Sequence, residues 1–83
     1  MPADYIFSKH ALERILQRNI AQNIIEEILN NPGHVTDENG KKVFSAEVEE
    51  NERPYLIRVF VNVEKEPNVV ITVYKTSKIE KYR

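Results

Sequence analysis

His10, Arg14 and Arg18 follow one another at i, i+4 and i+8. On a helix that spacing stacks the three side chains into one ridge. Such a ridge can hold a phosphodiester, because a guanidinium offers paired N–H groups to phosphate oxygens. An imidazole beside it can take or give a proton near neutral pH. Glu13 and Gln17 lie between these residues, and the same spacing also describes a solvated helix face. Arg58 and Tyr74 form the second candidate pair. A guanidinium beside a phenol can stabilise a charged phosphate transition state and stack a base. It can equally be an ordinary cross-strand packing pair. His34 follows Pro32-Gly33 at a loop start and is read as incidental.

Other chemistries lack their residues. The chain has no cysteine and only two glycines, in separate turns, so thiol nucleophiles and glycine-rich phosphate loops are excluded. Two histidines 24 positions apart, without a carboxylate pattern nearby, make a weak metal case. No metal and no cofactor is expected.

The elements that must position these residues come from 83 residues, which is enough for one small domain over 1–83. The composition is 41% hydrophobic and 30% charged, that of a soluble globular chain. No apolar run approaches the ~20 residues that span a bilayer. Met1-Pro2-Ala3-Asp4 does not read as a secretory signal, and the absence of cysteine allows a cytoplasmic location, which is the expectation. A formal net charge of −1 argues against indiscriminate binding to nucleic acid. Charge is nevertheless uneven: Glu47, Glu49, Glu50 and Glu52 cluster, while Lys75, Lys78, Lys81 and Arg83 make the C-terminus basic.

Residues 8–30 read as helix and residues 34–76 as strands. Ser8 is an N-cap, and Ala11, Leu12, Ile15 and Leu16 fall on one side of a first helix ending near Arg18-Asn19. Ile20 packs at the break. A second helix over 21–30 carries Ile24, Ile25, Ile28 and Leu29 and is stopped by Asn30-Asn31-Pro32-Gly33. The period then changes to two. A weak strand at 34–36, a turn at Asp37-Glu38-Asn39-Gly40 with Asn39-Gly40 as its hairpin signal, and strands at 43–48, 55–63 and 69–76 follow, with a polar loop over 49–54. Short connections favour a meander. The expected fold is α+β: two N-terminal helices packed on a four-stranded antiparallel sheet, ordered ααββββ. In the last hairpin Arg58 faces Tyr74, Val59 faces Val73, Phe60 faces Thr72 and Val61 faces Ile71. Tyr55, Ile57, Val59, Val61, Val63, Val69, Ile71 and Val73 then form the face under the helices. Leu56, Arg58, Phe60, Asn62, Val70, Thr72, Tyr74 and Thr76 form a mixed, open face.

The stretch from Ser8 to Ile20, with His10-Ala11, Arg14, Arg18 and Ile20, resembles the opening of a bacterial family of unknown function, domain-of-unknown-function family 4258. Ile25 to Pro32, Ile57-Arg58-Val59-Phe60-Val61 and Val69-Val70-Ile71-Thr72-Val73-Tyr74 match its later segments in order, over roughly residues 5–76. That family in turn is similar in layout to RelE/BrnT-type small toxin folds, several of which cut RNA. The resemblance implies a RelE-like fold and a metal-independent endoribonuclease of a toxin–antitoxin pair, acting on RNA and neutralised by an antitoxin-like protein. It implies that His10, Arg14, Arg18, Arg58, Thr72 and Tyr74 line one site. His10 would act as base or acid, Arg14 and Arg58 as phosphate clamps, and Tyr74 as proton donor or stacking group. Arg18 and Thr72 would bind substrate. One site requires the helix ridge to lie at an edge of the sheet, or the helix to wrap around the sheet's end. The alternative is a non-catalytic interaction module whose mixed face or strand edge binds a protein or a second copy of the chain.

Overall fold

A computed structural model describes residues 5–82; the readings placed on 1–4 and on Arg83 lie outside the described residues. The elements are β1 (Tyr5–Phe7), α1 (Lys9–Gln17), α2 (Gln22–Asn30), β2 (His34–Glu38), β3 (Lys41–Glu50), β4 (Arg53–Asn62) and β5 (Asn68–Thr76). A 3₁₀ turn, Ile79–Tyr82, closes the described chain. The strands form one sheet in the order β1-β5-β4-β3-β2.

The expectation of a four-stranded antiparallel sheet is thus corrected to a five-stranded mixed one. β1 precedes the helices and pairs parallel with the start of β5, Tyr5 opposite Asn68 and Phe7 opposite Val70. Three residues are too few for an alternation to register in a sequence. The chain crosses from β1 to the strands through both helices, the long connection a parallel neighbour requires.

Ser8 joins β1 to α1. Its backbone N–H donates to the Val70 carbonyl (3.0 Å), and its hydroxyl donates to the Ile71 carbonyl (2.9 Å) while accepting from the Ala11 N–H (3.0 Å). One side chain therefore caps the helix and ties it to β5. Ala11 and Ile15 are the buried residues of α1. Leu12 and Leu16, expected on the same buried face, are 44% and 81% exposed, because the helix touches the sheet along a narrow i, i+4 stripe. Asn19 ends the helix at φ 53°, with the Ile20 N–H on the Ile15 carbonyl and the Asn19 N–H on the Leu16 carbonyl. This is a Schellman closure, and Ile20 and Ile15 are both buried around it. α2 buries Ile25, Ile28 and Leu29 against the same core.

Asn39-Gly40 takes positive φ at both residues, as a two-residue hairpin turn requires. The polar loop expected over 49–54 is a similarly tight turn at Asn51-Glu52, with Glu50 opposite Arg53. Glu52 holds a φ of 65°, a conformation that disfavours glutamate and so gives no turn signal.

Arg58 pairs with Tyr74, Val59 with Val73 and Phe60 with Thr72, as expected, but Val61 pairs with Val70 rather than Ile71. A bulge at Phe60/Val61 inserts Ile71 as the extra residue of β5, so Val70 turns into the core. Leu56, assigned to the open face, is nearly buried, as is Ile79 of the 3₁₀ turn, and the two line one hollow of that face.

Candidate functional site

α1 runs along β5 beyond the stretch that β1 occupies, held there by Ser8 and by Ala11 and Ile15. This answers the positional requirement: the ridge of α1 stands at the sheet edge and meets the open face. His10, Arg14 and Arg18 from the helix, Arg58 and Phe60 from β4, and Thr72, Val73 and Tyr74 from β5 line a single concavity of about 420 Å³. All six residues singled out in the sequence are among them.

His10 is exposed, and Arg14 Nε donates to its Nε2 at 3.4 Å. Arg14 also donates to the Gln17 amide oxygen (3.1 Å), so its guanidinium is oriented from both sides. The Arg18 guanidinium carbon lies 5.0 Å from the centre of the Tyr74 ring, a cation–π arrangement. Arg18 Nε is shielded from solvent and has no hydrogen-bond partner among the described residues. The Arg58 side chain is 14% exposed, lies 5.2 Å from the Phe60 ring centre and is ion-paired with Glu38. The described lining of this concavity holds no carboxylate. With four nitrogen-bearing side chains and a tyrosine hydroxyl, it suits an anion with several oxygens.

Two participants escape the reading of the sequence. Alternation places Phe60 on the right face but gives it no role. Glu38 falls in the expected turn, because the weak strand is ended at Thr36. Carrying the alternation of His34 and Thr36 one step further sets Glu38 on the face of Arg58. Thr36 Oγ1 donates to the same Glu38 oxygen that meets Arg58.

The C-terminal lysines are elsewhere. Lys75 projects opposite to Tyr74, over the Tyr55 ring at 4.7 Å, and donates to both Glu50 oxygens (3.0 and 2.9 Å). Basic tail and acidic cluster therefore neutralise each other in part. Among the described residues, no three of His, Cys, Asp and Glu gather as a metal centre would need. Among the described residues, no helix is long and apolar enough to cross a membrane.

These features define a small α+β domain whose N-terminal helix and mixed sheet share one cationic hollow. Residues 7–75 match the family described as Domain of unknown function (DUF4258), and the chain belongs to it. No curated protein and no solved structure matches the chain.

Proposed function

We propose that the protein is a toxin-like, metal-independent endoribonuclease of the RelE/BrnT type, acting in the cytoplasm as one half of a toxin–antitoxin pair. The observation that supports this reading is the concavity lined by His10, Arg14, Arg18, Arg58, Thr72 and Tyr74, whose described lining holds no carboxylate. RNA carries its own nucleophile, the 2′-hydroxyl, so a site needs only a base, an anion clamp and an acid. His10 takes the 2′-hydroxyl proton. The oxygen attacks the adjacent phosphorus, and the bond from phosphorus to the 5′ oxygen breaks. Arg14 and Arg58 hold the non-bridging oxygens as charge builds, and Arg18 and Thr72 seat the strand. Tyr74 gives its proton to the departing 5′ oxygen. The products are a 2′,3′-cyclic phosphate and a 5′-hydroxyl, and solvent returns the protons.

A neutralising partner belongs to this reading. Leu12 and Leu16, one turn apart on α1, give such a protein an exposed apolar strip beside the ridge.

The test is cleavage of end-labelled RNA by purified protein in chelator, with folded His10→Ala and Arg58→Ala variants alongside. The wild type is expected to cut, and each variant to lose about 100-fold or more in rate. Variants as active as wild type, or a wild type that cuts none of a varied RNA set, would overturn the proposal.

A further inference from the structure

The open face carries a second concavity, of about 540 Å³, and Arg58 lines both. The two differ in chemistry. The first gathers His10, Arg14, Arg18 and Arg58 without a carboxylate in its described lining. The second sets Glu38 and Glu47 around polar His34, Thr36 and Ser45, with Leu56 and Ile79 as its apolar part. Carboxylates repel a phosphate and so direct it to the first hollow. A nucleotide whose phosphate lies against Arg58 then has its base within reach of the second. Leu56 and Ile79 are 8% and 9% exposed, a fixed apolar wall for the face of a ring. Thr36, Ser45 and His34 bring polar edges around it.

An ionised carboxylate only accepts hydrogen bonds, and it accepts two side by side. Guanine presents two adjacent donors on its pairing edge, the ring N1–H and the exocyclic N2–H. Adenine and cytosine present one amine beside a ring nitrogen lone pair, which a carboxylate repels. Uracil presents one N–H between two carbonyls. Glu38 is half-buried and held by Arg58 and Thr36, and Glu47 is the more exposed of the two, which makes it the carboxylate that reads the base. Its exposure lets it exchange a surface contact for a ligand.

We infer that the second concavity is the base subsite of the same RNA site and that it selects guanine through Glu47. The inference rests on the ribonuclease reading above and adds its specificity.

The experiment follows backbone amide signals by NMR while the protein is titrated with inorganic phosphate and then with each of the four nucleoside 3′-monophosphates. Phosphate is expected to move the Arg14 and Thr72 signals. The guanosine nucleotide is expected to move Ser45 and Ile79 as well, and to bind about tenfold tighter than the uridine nucleotide. In Glu47→Gln that margin is expected to shrink below about threefold, since an amide can also donate to uracil. Equal affinity for all four nucleotides, unmoved Ser45 and Ile79, or an unchanged margin in the variant overturns the inference. RNA cleavage that ignores the base overturns guanine selection and leaves the ribonuclease reading standing. Silence toward phosphate and all four nucleotides, with no cleavage, overturns both.

Discussion

Arg18 is the residue of the concavity whose placement the described fold explains least. Its Nε is shielded from water and lacks a partner among the described residues. An unmade hydrogen bond of this kind costs about 1–3 kcal/mol, whereas stacking over Tyr74 returns roughly 0.5–1 kcal/mol. The folded protein alone gains little from this arrangement. Arg18→Met keeps the apolar stem and removes the orphaned donor. Its stability in urea is expected to equal or exceed that of wild type by up to about 1 kcal/mol, while phosphate affinity falls several-fold. A loss of stability with unchanged phosphate affinity would make Arg18 a structural prop. The spacing of His10, Arg14 and Arg18 is legible because one helical period suffices to express it. Thr72 has no such signature and enters only through a family resemblance, and Glu38 is hidden by a strand boundary drawn two residues short.

Everything that turns those residues toward one another depends on how α1 is set against β5. Ser8 does this with one hydroxyl, which caps the helix and donates to Ile71. Ser8→Ala loses both bonds and is expected to cost about 2 kcal/mol by urea denaturation, about half from the cap and half from the tie. Ser8→Asp retains the cap acceptor but has no proton for Ile71, so the two contributions separate. A Ser8→Ala loss of only a few tenths of a kcal/mol would mean that Ala11 and Ile15 alone hold the helix in place. The cap itself is legible, since serine before an apolar period is a local signal. Its second bond, to a residue 63 positions away, is not. The same division holds along the strands. Alternation pairs Arg58 with Tyr74 and Val59 with Val73, and it fails at the bulge, where the extra residue Ile71 reverses the faces of the β5 residues before it. β1 is too short to alternate, and Ile79 stands alone among polar residues, so neither carries a periodic signal.

At the scale of the whole molecule, a net charge of −1 provides little long-range attraction for RNA. On the proposed ribonuclease reading, affinity then comes from the few cations of the concavity, because Lys75 is paired with Glu50 and faces away. That gives a quantitative expectation. Neutralising one phosphate of a single strand contributes about −0.7 to the slope of log affinity against log salt. Three arginines, Arg14, Arg18 and Arg58, therefore predict a slope of about −2 for short single-stranded RNA. Arg58 contributes least if Glu38 keeps its hold, which would bring the slope nearer to about −1.4. Arg14→Ala is expected to lower the magnitude by about 0.7, and Lys78→Ala to leave it unchanged. Fluorescence anisotropy of a labelled RNA across a salt series measures all three. A slope steeper than about −4 that falls with Lys78→Ala would place the strand along the C-terminal lysines and away from α1. A slope near zero would remove phosphate contact as the basis of binding, and with it the electrostatic reason for gathering three arginines in one hollow.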